Sequence, residues 1–301
     1  MSRSEDASRA FLIAFHSGRD ASVATAATIV KRLAETEITP VVLDVDRPAL
    51  LAHSPELHVI QAYDGGDVDL IITLGGDGTI LRASELQRET RAPLLGINMG
   101  HVGFLAEAEV AELERVVERA VAGDYTVEER LVLDVSVEIG GEERFRTWAV
   151  NEAAIEKVDS GRMVEVVLAI DARPISSFGA DAVIMATPTG STAYSFSAGG
   201  PIVWPEADVM LMVPLGAHAL FTRALVAGPD SRMTVKIAER SVDGATLWCD
   251  SRRSYDLPQG ASVHATRHAQ PLRLARLSQA PFADRLVAKF HLPVEGWRGG
   301  S

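Results

Sequence analysis

The spacing of short apolar runs changes near Gly123 and divides the 301-residue chain into halves of different texture. Before that glycine, apolar runs alternate with stretches of helical composition, which predicts a parallel sheet flanked by helices. After it, apolar runs follow one another closely and helical patterns are scarce, which is typical of a β-sandwich or another sheet-rich domain. We therefore predict an α/β plus all-β protein with two domains.

The predicted elements follow this division. Strands are expected at residues 11–15, 40–43, 70–74 and 94–97, and helices at 20–35, 79–88 and 108–121. In the second half, alternating residues 131–139 lead to Gly140-Gly141, a pair typical of a tight hairpin turn, and to a return strand at 144–150. Further strands are expected at 164–170, 182–186, 233–237, 245–249, 262–266 and 272–275, and residues 284–290 are expected to be helical or extended. The predicted domains are a Rossmann-like α/β domain over residues 1–125 and a β-sandwich-like domain over residues 126–283.

Composition limits the class of partner. The chain is 47% apolar and 23% charged, near the globular average, and 29 basic against 41 acidic residues give a net charge of −12. Such a chain has no long-range attraction for nucleic acid or for an anionic membrane, which does not exclude a local basic pocket for phosphate. No apolar run approaches the roughly 18 residues that span a bilayer.

The start of the chain and its cysteine content indicate the compartment. Residues 1–10 are polar and lack the apolar core of a secretory signal. Cys249 is the single cysteine, so no intramolecular disulfide can form, which suits a reducing cytosol. We expect a cytoplasmic protein.

Residues 74–79, Leu-Gly-Gly-Asp-Gly-Thr, join a predicted buried strand to a predicted helix. The three glycines let a ligand approach the backbone, and free amides at a helix N-terminus form an anion site. The carboxyl end of a strand is also where α/β proteins bind ligands. A carboxylate at Asp77 beside a phosphate would have to hold a metal or accept a proton. The alternative is a structural turn in which Asp77 or Thr79 caps the helix.

Two further segments could line a ligand site. Residues 96–105, Gly-Ile-Asn-Met-Gly-His-Val-Gly-Phe-Leu, follow the next predicted strand. They form either a glycine-rich crossover or, beside the first loop, a second wall of a cleft. Asn151 and Glu152 end the strand predicted before them. Asn as donor and acceptor, with ionised Glu as acceptor only, could hold an adenine edge and ribose hydroxyls, or could be a solvated strand end.

Residues 187–194, Thr-Pro-Thr-Gly-Ser-Thr-Ala-Tyr, follow another predicted strand and are rich in hydroxyls. Ser or Thr here could cap a short helix whose N-terminus would form a second anion site. The serines lack the Gly-x-Ser-x-Gly setting of a hydrolase nucleophile. The P-loop pattern and the expected Gly-x-Gly-x-x-Gly fingerprint are missing, and the eight histidines show no zinc spacing, so no protein metal ligands are predicted.

Taken together, these segments resemble the NAD kinase family over nearly the whole chain. The resemblance extends to Ser-Ala-Gly-Gly-Pro at residues 197–201, Ala-His-Ala-Leu at 217–220 and the Cys249-Asp250 strand. Gly-Gly-Asp-Gly-Thr also occurs in diacylglycerol, sphingosine and phosphofructo-kinases. Thr-Pro-Thr-Gly-Ser-Thr-Ala-Tyr at this distance from Asn-Glu is far more specific. The resemblance implies that the β-rich domain binds the dinucleotide and that the chain end, about 284–301, returns to the first domain.

The resemblance also implies an activity. A phosphoryl group would pass from ATP or polyphosphate, with Mg²⁺, to the 2′-hydroxyl of the adenosine ribose of NAD, giving NADP, and Asp77 would be the general base. NAD and the donor are the expected partners, with no nucleic acid and no membrane, and family members are usually dimers or tetramers. Two alternatives stay open: a lipid kinase that shares Gly-Gly-Asp-Gly-Thr, disfavoured by the charge of −12, and a non-catalytic dinucleotide sensor, disfavoured by Asp77.

The residues that the resemblance implicates fall into groups by expected role. The catalytic and phosphate-binding group is Gly75, Gly76, Asp77, Gly78, Thr79, Arg82 and Asn98. The dinucleotide group is Asn151, Glu152, Arg162 and Asp181, the last two often across a subunit boundary. The group around the adenine and ribose is Thr189, Ser191, Thr192, Ala193, Tyr194, Ser195, Phe196 and Ser197, with Arg252 near the ligand. Gly179 departs from the pattern, because some relatives carry a basic side chain there, and we hypothesise that NADH is also accepted.

Overall fold

The computed structural model describes residues 9–58, 60–100, 103–277 and 281–294. The chain forms two compact units: one runs to Glu129 and resumes at Leu272, and the other comprises Arg130–Pro271. Among the described residues, no helix has the length and apolar character needed to cross a membrane.

The first unit alternates strands and helices, as predicted. Its strands before the boundary are β1 (Ala10–Ala14), β2 (Thr39–Val42), β3 (Gln61–Ala62), β4 (Leu70–Leu74), β5 (Leu94–Asn98), β6 (Ala108–Glu109) and β7 (Thr126–Arg130). Its helices are α1 (Asp20–Ala34), α2 (Arg47–His53), α3 (Asp77–Thr90) and α4 (Leu113–Ala122), with 3-10 turns at Pro55–Leu57 and Val110–Glu112. The helix predicted from residue 108 begins only at Leu113, because Ala108 pairs in parallel with Ile97 of β5.

The order of the strands places the Gly-Gly-Asp-Gly loop. Strand β1 pairs in parallel with β2 on one side and with β4 on the other, and β4 pairs in parallel with β5. The connections therefore run in opposite directions from β1, which opens a crevice at the carboxyl ends of β1 and β4. Strands β4 and β5 are completely buried, as is typical of the centre of a parallel sheet. The residues after β4 lie at this crevice.

The second unit consists of two antiparallel six-stranded sheets. Their strands are β8 (Leu133–Ile139), β9 (Glu142–Ala149), β10 (Glu152–Lys157), β11 (Val164–Ile170), β12 (Arg173–Ala180), β13 (Ala182–Ala186), β14 (Met210–Leu215), β15 (Leu225–Ala227), β16 (Met233–Ile237), β17 (Ala245–Cys249), β18 (Arg253–Leu257) and β19 (Ser262–Arg267). The orders are β12-β11-β16-β19-β8-β9 and β15-β14-β13-β10-β17-β18. A 3-10 turn at Thr189–Thr192 precedes the short helix α5 (Tyr194–Ser197).

One apolar core joins the two sheets of this unit. Alternate residues of β8 and β11 from one sheet, such as Val135 and Val166, share it with Met185 and Leu247 from the other. The sheets therefore pack face to face as a β-sandwich, which confirms the predicted fold class. Gly140 and Gly141 both have positive φ, 63° and 84°, at the predicted hairpin turn between β8 and β9.

After β19 the chain returns to the first unit through β20 (Leu272–Arg276) and α6 (Phe282–Phe290). Strand β20 lies between β5 and β7, and Leu274 pairs in parallel with Leu94. The assignment of residues 272–275 to the β-rich half was therefore wrong, although they do form a strand. A short apolar run indicates a buried strand and does not identify the sheet that it joins.

Candidate functional site

Asp77 is the first residue of α3, directly after β4 and the two glycines. Gly76 is the N-cap and makes no side-chain cap, so neither Asp77 nor Thr79 caps the helix. The Asp77 carboxylate instead accepts the N–H of Phe104 on Oδ2 and the N–H of Leu105 on Oδ1, each at 3.0 Å. One hydrogen bond on each oxygen fixes the carboxylate and leaves lone pairs free on both.

The first turn of α3 presents backbone donors beside this carboxylate. Among the described residues, the N–H groups of Gly76, Asp77 and Gly78 have no acceptor. These donors and the positive end of the helix dipole together favour a bound anion. Arg82, one turn later, is exposed and has no ion-pair partner within the described part of the chain.

Gly75 and Thr79 close the turn between β4 and α3. The N–H of Gly75 donates to the carbonyl of Ile97 at 2.9 Å, which ties this loop to β5. A Cβ on Gly75 would lie 2.2 Å from Oγ1 of Thr79, so the turn requires glycine there. Both residues therefore shape the loop.

The loop after β5 begins at the buried residue Asn98. Its Nδ2 donates to the carbonyl of Gly100 at 3.1 Å, and its Oδ1 accepts the N–H of Gly100 at 3.2 Å. The Asn98 side chain is thus used to shape its own loop, which lies beside the Gly-Gly-Asp-Gly loop. His101 and Val102 of this segment fall outside the described residues.

The second unit contains a cavity of about 300 Å³. Its lining residues are Glu152, Ala154, Glu156, Tyr194, Trp248 and Ser251. The first three share one face of β10, because successive side chains of a strand alternate between faces. Trp248 of β17 is paired with Ala154. Glu152 and Tyr194 are among the predicted site residues and the other four are not. Ala154 and Glu156 belong to β10, which was not predicted as a strand, so no signal in the sequence indicated them.

Glu152 begins β10, rather than ending the strand before it, and its side chain is buried in this cavity wall. The residue is 5% exposed, and Oε2 has no hydrogen-bond partner among the described residues. Burial, with a further contribution from the charge of Asp250, raises the pKa of Glu152 to about 8, and a backbone hydrogen bond from Tyr194 opposes it. The raised pKa favours the protonated form at neutral pH, in which the side chain can donate as well as accept a hydrogen bond.

The Asp250 side chain contacts the backbone at Asn151 and Glu152. Asp250 is not among the predicted site residues. Its Oδ1 accepts the N–H of Asn151 at 2.7 Å and of Glu152 at 3.4 Å, and its Oδ2 accepts the N–H of Val150 at 2.9 Å. Arg253 donates to Oδ2 at 2.9 Å. Burial raises the pKa of Asp250, and these hydrogen bonds oppose the shift.

The hydroxyl-rich segment also supports the Asn151 backbone. Thr187 donates its hydroxyl to the carbonyl of Val150 at 2.6 Å and accepts the N–H of Gly190 at 3.1 Å. Ser191 donates to the carbonyl of Val203 at 3.2 Å and accepts its N–H at 2.9 Å.

A short helix is present, but no Ser or Thr caps α5, which follows Ala193, so the predicted cap was wrong. The Thr192 hydroxyl bonds to the carbonyl of the buried Thr189 at 3.2 Å instead.

Tyr194 is half-buried and its hydroxyl is hydrogen-bonded to Glu156. Burial is the largest cause that raises the pKa of Tyr194 to about 12. Ser195 is completely buried, and its Oγ has no partner among the described residues, while Phe196 and Ser197 are exposed.

Arg162 and Asp181 do not line the cavity. Arg162 lies 3.6 Å from Asp243, and Asp181 forms an ion pair with Lys157 at 2.6 Å. Arg252 is exposed in the turn between β17 and β18, next to the cavity residue Ser251.

Comparison with known proteins gives the family. The model of the ATP-NAD kinase N-terminal domain matches residues 11–125, and that of the ATP-NAD kinase C-terminal domain matches residues 150–277. An NAD kinase of Leifsonia xyli subsp. xyli is 52% identical, with 97% of this chain and 98% of the relative covered. The chain belongs to the NAD kinase family. An NAD kinase of Thermobifida fusca is likewise 50% identical, with 98% of this chain and 93% of the relative covered.

Two solved structures share the fold of this NAD kinase family member. A yeast NADH kinase complexed with NADH has a TM-score of 0.87 at 22% identity and covers 99% of this chain and 91% of its own. An NAD kinase from Archaeoglobus fulgidus in complex with ATP has a TM-score of 0.68 at 24% identity and covers 94% of this chain and 98% of its own. The family resemblance seen in the sequence is confirmed, and the chain is a phosphotransferase.

Proposed function

We propose that this chain transfers the terminal phosphoryl group of a donor to the 2′-hydroxyl of the adenosine ribose of NAD, and that Asp77 takes the hydroxyl proton. The hydroxyl oxygen bonds to phosphorus, and the bond from phosphorus to the bridging oxygen of the donor breaks. The observation that supports this role is the position of a fixed carboxylate beside unpaired backbone donors at the start of α3. A base and an anion site are thereby adjacent.

Phosphoryl transfer depends mainly on positioning and on neutralising the charge of the phosphoryl oxygens. In this proposal the amides of Gly76, Asp77 and Gly78 hold donor phosphate oxygens, and the exposed Arg82 adds a positive charge. The amides are fixed by the helix before any ligand binds, so they need little reorganisation during the reaction.

The cavity in the second unit is the proposed site for the dinucleotide. Neutral Glu152 can both donate and accept a hydrogen bond, which suits a ribose hydroxyl or an adenine edge. Asn151 would add an amide beside it, and Tyr194 and Trp248 offer aromatic surface for a ring. The segment from Thr189 to Ser197 would form the surrounding wall, with Arg252 near the ligand.

The proposed phosphoryl donor is ATP or polyphosphate, and the proposed metal is Mg²⁺ bound to the phosphates of that donor. The family uses ATP as donor, and we extend the proposal to polyphosphate. Among the described residues no group of three His, Cys, Asp or Glu side chains could hold a metal ion. Mg²⁺ would therefore arrive on the donor phosphates and neutralise their charge, with one or two protein carboxylates at most as ligands, as is usual for this ion at phosphate sites.

Three further parts of the proposal concern context. A homodimer or tetramer is proposed, in which Arg162 and Asp181 contact the dinucleotide of a neighbouring subunit; their position outside the cavity lining is compatible with this. A cytoplasmic location is proposed from the single cysteine. We also propose that NADH is accepted, because Gly179 brings no charge near the nicotinamide.

The test is turnover by the purified protein. NAD is incubated with Mg²⁺ and either ATP or polyphosphate, and NADP is detected with a dehydrogenase specific for it; NADH replaces NAD in a parallel arm, read as NADPH. We expect Asp77→Asn to lower kcat by at least about 100-fold, the contribution of a general base, while NAD still binds. Asp20→Asn is the matched control, because Asp20 is the first residue of α1 as Asp77 is of α3. Near-normal turnover by Asp77→Asn would remove the base role.

A further inference from the structure

We propose that the C-terminal helix α6 positions the Asp77 carboxylate, and that Arg285 is the positioning residue that transmits this effect. The inference rests on the proposed role of Asp77. It concerns the segment 103–107, whose amides hold the carboxylate, and the residues of the chain end that hold this segment in turn. All of these residues belong to the first unit.

Aromatic contacts join α6 to the segment. The ring of Phe104 lies 5.5 Å from that of Phe282 and 6.0 Å from that of Phe290, centroid to centroid. Both partners come from α6, one from each end of the helix. Phe104 is 7% exposed, so the helix covers the residue whose N–H donates to Asp77.

Arg285 makes the polar part of the same contact. Its Nη1 donates to the carbonyls of Phe104 at 3.1 Å and Ala106 at 2.9 Å, and its Nη2 donates to Glu107 at 2.8 Å. The carbonyl of Phe104 and the N–H of Leu105 belong to one peptide group. That group accepts from Arg285 on one side and donates to Oδ1 of Asp77 on the other.

A single peptide group therefore connects the guanidinium of α6 to the carboxylate of α3. A positive charge on its carbonyl polarises the group and strengthens the N–H as a donor, because hydrogen bonds in a chain reinforce one another. The same contact also fixes the direction of the N–H. Arg285 thus acts on both the strength and the geometry of the bond that orients Asp77.

Arg276 and Glu107 complete the support. The Nη1 of Arg276 donates to the carbonyl of Leu105 at 3.1 Å and to Glu107 at 3.2 Å, and its Nε donates to Glu128 at 2.5 Å. The side chain of Glu107 is 1% exposed and that of Arg276 is 8% exposed, so the two form a buried ion pair. Arg285, with a side chain 15% exposed, is the more accessible member and the better one to replace.

The experiment is a double-mutant cycle between positions 285 and 77. We expect Arg285→Met to lower kcat by about 10- to 100-fold, the effect of displacing a reacting group by about 1 Å, with the KM for NAD nearly unchanged. In the Asp77→Asn background the same change should lower kcat by less than about 3-fold, because residues that act through one group are not additive. Arg285→Lys, which keeps the charge and loses the fork, should restore part of the rate.

Arg47→Met is the matched control. Arg47 also donates to two loop carbonyls of the first unit, those of Ile60 at 3.1 Å and His58 at 3.4 Å, and contacts no residue of the segment 103–107. Its replacement should leave kcat unchanged. Hydrogen exchange of the Phe104 and Leu105 amides is measured on the folded Arg285 and Arg47 single variants. It should accelerate in Arg285→Met, accelerate less in Arg285→Lys, and stay at the wild-type rate in Arg47→Met.

The outcomes separate this inference from the proposed function. Normal turnover by Asp77→Asn would remove the base role. If Asp77→Asn is slow but Arg285→Met is as fast as wild type, or if the two effects multiply, Arg285 does not act through Asp77 and the inference is overturned. If Arg285→Met does not fold, Arg285→Lys decides: wild-type kcat and wild-type exchange at Phe104 and Leu105 would overturn it.

Discussion

Gly103 and Asp77 are in direct contact: a Cβ on Gly103 would stand 2.3 Å from Oδ1 of Asp77 and 2.9 Å from its Cγ. Both distances are far below van der Waals contact, so a methyl group at position 103 displaces its neighbour. The atoms that would give way are those of the carboxylate, since it is the end of a side chain. Glycine at this position is therefore required by the orientation of Asp77.

We predict that Gly103→Ala lowers kcat by about 10- to 100-fold, because the displaced carboxylate no longer faces its target correctly. The KM for NAD should change little, since no residue of the dinucleotide cavity is altered. Steady-state kinetics with NAD and ATP measures both. Gly100→Ala in the same loop is the control, because a Cβ there meets nothing within 4 Å. Equal activity of the two variants would show that the contact has no role in orienting Asp77.

The protonation of Glu152 predicts a pH-dependent stability. Its pKa is raised from 4.5 to about 8 in the folded protein, so the folded state retains a proton that the unfolded state has lost. The resulting stabilisation is complete below pH 4.5 and disappears as the pH rises through 8. The glutamine of Glu152→Gln does not titrate. The free energy of unfolding of this variant, relative to that of wild type, should therefore increase as the pH rises between these two values.

Urea unfolding at a series of pH values measures this difference. Asp250 and Tyr194, the two residues that act on the Glu152 pKa, are retained in both proteins, so the comparison isolates position 152. A difference that does not depend on pH would mean that Glu152 is ionised in the folded protein, and the cavity would then offer only an acceptor there.

The local sequence pattern predicted the apolar strands of the β-sandwich but missed a strand that is rich in charged residues. Strands β11, β13, β16 and β17 have their predicted bounds because their apolar residues are continuous or alternate along each run. Strand β10 has two glutamates and a lysine among its six residues and was not predicted. It is a strand because β13 and β17 pair with it on both sides, which no local pattern records.

The site residues show the same division. Asp77 is recognisable because strand, glycines and helix are contiguous in the sequence. Asp250 is not, because it sits in a hairpin turn with φ of 51° and its partners Val150 and Asn151 are distant in the chain. Likewise, the link from Arg285 to Asp77 depends on the return of the chain end, which places α6 beside residues 103–107.

Gly190 predicts a large effect on stability. A Cβ at this position would lie 2.0 Å from the carbonyl oxygen and 2.5 Å from the carbonyl carbon of Asn151. Backbone atoms cannot rotate away as a side chain can, so we expect Gly190→Ala to destabilise the protein by about 3 kcal/mol, at the upper end for overpacking. Thermal unfolding measures it, with Gly228→Ala as control because a Cβ there meets nothing within 4 Å. A Tm equal to that of the control would show that the backbones at Gly190 and Asn151 can move apart without loss of stability.

Asp250→Asn tests whether a buried carboxylate organises the dinucleotide cavity. Asparagine tolerates the positive φ of this position, but its amide group turns N–H donors toward the backbone N–H groups of Val150 or Asn151. One buried donor is then unpaired, at a cost of roughly 1–3 kcal/mol, and Arg253 loses its charged partner.

The loss of the negative charge in Asp250→Asn should also lower the pKa of Glu152 from about 8, since Asp250 is the second cause of its elevation. Chemical denaturation and carboxyl ¹³C NMR measure the two effects, with the exposed Asp256→Asn as control. An unchanged Glu152 pKa in a destabilised Asp250→Asn would mean that burial alone keeps Glu152 protonated, and that Asp250 serves the backbone without tuning the cavity.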